Sequence, residues 1–344
     1  MRWSSGGNIF ANDVERTQLV YIKTDEVNNV LRGVAERIGV PLGKIAARAE
    51  VPLGRRLGKA YYSEYLSLIP GGRITHPTFL MKNYYERIFK VFSILGFGRL
   101  SIASYRPRRE ITVSMRKPYH PDLLCGLCRG FFEAAEGVGF EYGVDGEGSG
   151  PVSVTYRACG GKEGSGESER FRYEKKDPLP GNVEHRACGE CGVPVRISQT
   201  FYWDENEGLV GNRKHHMREV VMPVDGLNAL FRELAEELGD EVERMVVEIQ
   251  GDFKKDAYLQ PDIRERRNYL ALLRQQTVKG LGNFTVIERK GERLRVEVEN
   301  PFNVPLLVGR VAGYYQALEG IPGKAEWEVP APRRLSIEVA PRKG

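Results

Sequence analysis

Apolar residues recur three and four apart at Val27, Val30, Leu31, Val34 and Ile38, and again at Leu227, Leu230, Phe231, Leu234 and Leu238. That spacing predicts an amphipathic helix in each stretch, with Asp25 or Asp225 as N-cap and Gly39 or Gly239 just past the end. A short apolar strand precedes each, at 19–22 and 220–222. A wide apolar face at Phe79, Tyr84, Ile88, Phe89 and Phe92 predicts a second helix opened by Pro77, with Pro261 in the matching place of the second half. Alternation then takes over, as LSIAS and ITVSM at 100–104 and 111–115 and as FTVIE and LRVEV at 284–288 and 294–298. These runs predict two hairpins, entered through Gly96 and Gly98 or Gly280 and Gly282. Further strands are expected at 152–158 and 171–176, and at 325–329 and 335–339. The charged run 230–249 carries Glu/Arg pairs at helical spacing and reads as a solvated helix face.

A third helix organises the chain, because it occurs twice. PYHPDLLCGLCRGFFEAAEGV at 118–138 returns as PFNVPLLVGRVAGYYQALEGI at 301–321, with Leu123/Leu306, Gly126/Gly309, Gly130/Gly313, Glu136/Glu319 and Gly137/Gly320 unchanged. Glycines four apart leave a bare backbone stripe that favours close approach to a sheet or another helix. Trp3 and Trp203 correspond in the same way. The expectation is an α+β fold in two tandem copies of a helices-on-antiparallel-sheet domain: 1–176, then a cysteine-containing linker at 177–200, then 201–344. The two copies would pack as an internal pseudo-dimer, and a homodimer stays open.

The chain has 344 residues, enough for two cores of ordinary size. Net charge is +5, from 51 basic and 46 acidic residues that are interspersed, so dedicated nucleic-acid binding is not implied. No apolar run approaches the length of a membrane span, and the expected location is cytoplasmic. Gly-rich runs at 143–150 and 160–166 lack the Gly-Lys-Ser/Thr ending of a phosphate loop and read as hairpin turns. No Ser-His-Asp set, paired-carboxylate motif or H-E-x-x-H supports a hydrolase.

Five cysteines, partly in C-x-x-C pairs, suit a metal in a reducing compartment better than disulfides. Cys188-Gly-Glu-Cys191-Gly is a compact knuckle whose glycines let amides point at sulfur. Cys125-Gly-Leu-Cys128 offers a second pair at the start of the third helix, and Cys159 is a fifth candidate. A structural zinc held by four of these five is expected, and which four stays open. His185 could stand in for one thiolate. The counterparts of Cys125 and Cys128 are Val308 and Val311, which suits buried thiols as well.

Pro118, Cys125, Gly130-Phe131, Gly137, the strand ending in Cys159 and the strand at 171–173 together resemble the four-vinyl-reductase domain family, also called the predicted hydrocarbon-binding domain. The second half keeps the helix pattern without the cysteines. The resemblance implies a sensor-like domain with an apolar pocket for a small hydrophobic or aromatic molecule, and a structural zinc clasp. Tyr156 stands where the family's clasp has Glu, and no cysteine follows Cys159 until Cys188, so the clasp would need Cys128 or the linker knuckle.

Tyr119 and His120, with Phe302 and Asn303 in the second half, are the expected ligand-contacting residues at the mouth of the pocket. Such a protein would be a non-enzymatic binder whose output lies in a protein partner. An enzyme acting on a tetrapyrrole or aromatic compound and a zinc-stapled interaction scaffold are the alternatives.

Overall fold

The computed structural model describes residues 1–13, 15–67, 78–145, 150–159, 177–214, 216–258 and 268–342. Among these, helices and antiparallel sheets make an α+β fold. No described helix is long and apolar enough to cross a membrane. Pro77, Pro261, the strand expected at 171–176 and the glycine run at 160–166 lie outside the described residues.

The chain opens with β1 (Arg2–Trp3), β2 (Ile9–Phe10), β3 (Gln18–Lys23) and α1 (Thr24–Ile38). It continues through α2 (Gly43–Ser67), α3 (Thr78–Ile94), β4 (Arg99–Arg106), β5 (Glu110–Arg116), α4 (Pro121–Glu136), β6 (Gly139–Asp145) and β7 (Val152–Cys159). A short α5 (Val195–Thr200) precedes β8 (Phe201–Asp204), β9 (Leu209–Asn212), β10 (Arg218–Pro223), α6 (Val224–Leu238) and α7 (Glu241–Tyr258). The last stretch holds α8 (Tyr269–Thr277), β11 (Asn283–Lys290), β12 (Arg293–Glu299), α9 (Val304–Glu319), β13 (Gly323–Ala331) and β14 (Arg334–Pro341).

Two compact units result. A central unit comprises Pro41–Glu174 and Phe201–Val221, and a C-terminal unit comprises Met1–Val40, Lys175–Thr200 and Met222–Gly344. This division differs from the blocks 1–176, 177–200 and 201–344, because each unit takes its opening strands from the other half of the sequence. In the C-terminal unit, the Trp3 indole donates to the Val278 carbonyl (2.8 Å) and the Tyr21 amide to that of Lys279 (2.8 Å). In the central unit, the Trp203 indole donates to the Ile94 carbonyl (3.2 Å) and the Val221 amide to that of Leu95 (2.8 Å). The linker also packs onto the C-terminal unit through polar contacts. The Leu179 amide donates to Asn300 Oδ1 (2.8 Å), Asn300 Nδ2 returns a bond to the Leu179 carbonyl (3.0 Å), and the Val183 amide donates to Ser5 (3.0 Å).

Each unit contains a four-stranded antiparallel sheet, in the order β4-β5-β7-β6 centrally and β11-β12-β14-β13 in the C-terminal unit. The inward positions alternate as the sequence predicts: Ile111, Val113 and Met115 beside Val154 and Tyr156, and Leu294, Val296 and Val298 beside Leu335, Ile337 and Val339 are all buried. In the central sheet the hairpin partner of β7 is β6, a strand the sequence pattern does not announce, since of its residues only Gly139 and Phe140 are buried.

Other departures have local causes. Asp25 and Asp225 sit inside the first turns of α1 and α6, where the caps Lys23 and Pro223 make no side-chain bond. There the carboxylates meet the positive end of the helix instead. The connection expected after Gly39 is the 25-residue α2, helical despite Pro52, Gly54 and Gly58. The charged run 230–249 is two helices, broken at Gly239 with φ 90°.

The glycine stripes pack helix on helix. A Cβ on Gly126 would overlap the Ala47 carbonyl and one on Gly130 that of Val51, so α4 lies with its backbone against α2. Gly309 and Gly313 stand in the same relation to Val247 and Gly251 of α7. Gly126→Leu should therefore destabilise the protein by more than about 3 kcal/mol, since the obstacle is backbone that cannot repack. Gly143→Ala, where an added Cβ meets nothing, should shift a urea midpoint little. Equal midpoints for the two variants would refute the close approach.

Candidate functional site

The core of the central unit is aromatic. Phe131 packs edge-on to Phe92 (5.4 Å between centroids), and Phe132 to Tyr85 (5.0 Å) and Tyr156 (4.9 Å). Phe97 lies 4.8 Å from Tyr119. Such rings fill space and favour these tilted geometries.

Polar groups are set into this core. Tyr119 is buried, with its ring near Glu50 and Cys128. Cys125 and Cys128, one turn apart on α4, are both buried beside Tyr156, whose hydroxyl donates to the Cys125 carbonyl (3.2 Å). Burial pushes the Cys125 thiol up to about 12 and that of Cys128 well above the usual value, so both are neutral thiols. Glu50, on α2, is 2% exposed, and its Oε1 has no hydrogen-bond partner. Burial raises its carboxyl to about 8. At the corresponding positions the second half has Gln250, Phe302, Val308, Val311 and Val339 for Glu50, Tyr119, Cys125, Cys128 and Tyr156.

The two polar residues of the expected ligand set are helix caps. His120 Nδ1 accepts from the Leu123 amide (3.4 Å) and Asn303 Oδ1 from the Leu306 amide (3.0 Å). Proline in the first turn of each helix completes the start signal. Burial lowers the His120 pKa, keeping the ring in the neutral form that can accept the bond. Asn303 also donates to Asn228 (2.9 Å), and Phe302 is buried with its carbonyl bonded by Asn228 (3.1 Å).

Cys125, Cys128 and Cys159 belong to the central unit, Cys188 and Cys191 to the C-terminal unit, and all five are free thiols. The residues around Cys188 and Cys191 form a tight turn. Ala187 and Pro194 pair as an antiparallel bridge, and the Cys188 amide donates to the Val193 carbonyl (2.7 Å). Amides of Cys191 and Glu190 donate to the Cys188 sulfur and lower its pKa, the electrostatics a metal thiolate needs. Two thiols are thus brought together in this turn. Among the described residues no three His, Cys, Asp or Glu side chains converge to complete one. His185, half-buried, keeps an unpartnered Nε2 three residues from Cys188.

Sequence reasoning missed two groups. Glu50 was hidden inside an unrecognised helix. Glu26, also fully buried, binds Lys254 (2.6 Å) and Arg310 (2.5 Å) and accepts from Gln250. Burial would raise the Glu26 carboxyl, but the guanidinium and ammonium outweigh it and hold it at about 2. In the sequence, Glu26 is one more polar residue in the first turn of a helix.

No family model matches the sequence, and no curated protein matches it. Among solved structures, subunit 3 of a trafficking protein particle complex from Naegleria fowleri, covalently bound to palmitic acid, is similar over 40% of this chain and 99% of its own, with 12% identity and a TM-score of 0.25. A likeness at that level carries no argument about this chain.

Glu50 makes a prediction with a definite sign. Its folded pKa of about 8 exceeds the ordinary 4.5, so the stability it contributes is complete below about 4.5 and is lost as pH rises through about 8. Glu50→Gln removes that loss. Its melting temperature should pull ahead of the wild type's as pH rises from about 4.5 to about 8 and hold that lead above, with a ceiling of about 4 to 5 kcal/mol. A pH-independent difference would show that the carboxyl is solvated.

Proposed function

We propose that the chain is a non-enzymatic binding protein built from two tandem copies of a domain resembling the four-vinyl-reductase family. The central unit would take a small hydrophobic or aromatic molecule. One observation carries this reading: the aromatic core of the central unit contains a carboxyl, two phenols and two thiols where the second half is apolar apart from Gln250, and the buried Glu50 Oε1 has no hydrogen-bond partner among the described residues. An aromatic lining with a few placed polar groups is the chemistry of a small-molecule site. A lone buried carboxyl costs stability, and a ligand that hydrogen-bonds to it would offset that cost.

Tandem duplication is supported by the matching sheet orders, by the glycine stripes of α4 and α9 and by the caps His120 and Asn303 at equivalent places. Cys188 and Cys191 would supply two thiolates to a structural zinc, completed by a further side chain such as His185 or by ligands outside the described residues. Bound there, zinc would add stiffness to a segment whose own apolar content is small.

Native mass spectrometry of the purified protein, compared with its denatured mass, tests both elements. One zinc and one small apolar molecule per chain are expected. Cys188→Ser/Cys191→Ser should lose the metal, lower the melting temperature and keep the organic mass. A bare polypeptide before and after incubation with zinc and a panel of aromatic compounds would overturn the reading.

A further inference from the structure

A cleft of about 550 Å³ in the C-terminal unit is lined by none of the cysteines. One wall is the linker, at 182–186 and 194–196. The other is the end of α8 with Val278 and the start of β11. Its floor includes Val278 and Phe284, both buried. Its charged groups are mostly of one sign. Arg186, Arg196 and Arg274 line it, against Glu184 as the one carboxylate among the lining residues.

The placement of the arginines follows from the knuckle. The Ala187–Pro194 bridge continues outward as a bond from the Val195 amide to the Arg186 carbonyl (2.8 Å), which sets Arg186 opposite Val195, and Arg196 follows in the first turn of α5. Arg274 comes from the last turn of α8 on the opposite wall. All three are exposed, and none of their guanidinium groups has an ion pair or hydrogen bond to another described residue. Elsewhere in this protein guanidinium groups commonly have carboxylate partners, as in Arg37–Glu248 (2.7 Å) and Arg293–Glu338 (2.6 Å). The imidazole of His185 adds a buried Nε2 with no partner on the same cleft. A larger cleft of about 800 Å³ between α7 and β13 carries both signs, including the pairs Arg37–Glu248 and Lys324–Glu326, and has no such bias.

We propose that this cleft binds a small, multiply charged oxyanion, a phosphate- or carboxylate-bearing metabolite. Three guanidinium groups lining one cleft repel one another, and a bound dianion or trianion reverses the sign of that interaction. Guanidinium is also the side chain best suited to planar, bidentate contact with phosphate and carboxylate oxygens. The volume suits a small molecule rather than a folded partner. Because the two walls come from the linker and from α8, the bound anion would clamp the linker to the body of the unit. The site is independent of the apolar ligand proposed for the central unit and needs no metal.

The test is calorimetric titration and thermal melting of the full chain with inorganic pyrophosphate, with citrate, and with sodium chloride at matched ionic strength. Saturable binding and a rise in melting temperature beyond that in chloride are expected for at least one oxyanion. Pyrophosphate alone would identify phosphate chemistry, and citrate alone or both would identify a reader of carboxylates or of charge. Arg196→Ala/Arg274→Ala should weaken binding by about tenfold or more. Glu184→Gln, which removes the opposing charge and leaves every guanidinium in place, should tighten it by roughly threefold. Equal stabilisation by chloride, or unchanged affinity in both variants, would overturn the proposal.

Discussion

The contact on which both units depend is the meeting of two helix backbones with no side chain between them. In the central unit Gly126 and Gly130 bring α4 onto α2, and in the C-terminal unit Gly309 and Gly313 bring α9 onto α7. Everything else is set out from these pairs. The sheets lie against the apolar faces of α4 and α9, and Tyr85 reaches Glu136 of α4 (2.5 Å) as Tyr269 reaches Glu319 of α9 (2.8 Å). Glycine is an expensive helix residue, at about 1 kcal/mol against alanine. The stripe is sustained only because close backbone approach recovers more in packing than the propensity loses.

The same helix pair is used for opposite electrostatic ends. Beside α7 and α9, the buried Glu26 carboxylate meets both Lys254 and Arg310 and accepts from Gln250. Breaking such a network is costly because the surviving charges are stranded in low dielectric. Beside α2 and α4, the position equivalent to Gln250 is Glu50, and no cation accompanies it: Gly54 and Leu127 stand where Lys254 and Arg310 would. In the C-terminal unit the buried carboxylate at this place is paired. In the central unit the Glu50 Oε1 at this place has no hydrogen-bond partner among the described residues and lies near Tyr119.

Much of the architecture could be read from local pattern. Alternation located β4, β5, β11 and β12, and the recurring 118–138 motif located α4 and α9, because two-residue and 3.6-residue periods are imposed directly by backbone geometry. The helix α2 was invisible because Pro52, Gly54 and Gly58 argue against a helix until their partner on α4 is known. The knuckle was legible because its glycines and cysteines are adjacent in sequence. Glu26, Glu50 and Asn300 were not, since burial and partner choice are tertiary facts. Nor could any pattern around Trp3 say whether its indole would bond Val278 or its counterpart Ile94, because the two destinations are local equivalents.

That last choice has a consequence for how the protein is made. β1, β2 and β3 leave the ribosome well ahead of their seat: the Val278, Lys279 and Gly282 backbone they rest on is synthesised more than 250 residues later. At roughly 5–20 residues per second, the opening segment waits on the order of ten to fifty seconds for its seat. During that interval the equivalent seat at Ile94–Gly98 is already present and is later taken by Trp203 and its strands. The nascent chain therefore meets a competitor built from its own duplicate-like sequence, and reaching the observed arrangement requires that the early partner be declined or surrendered.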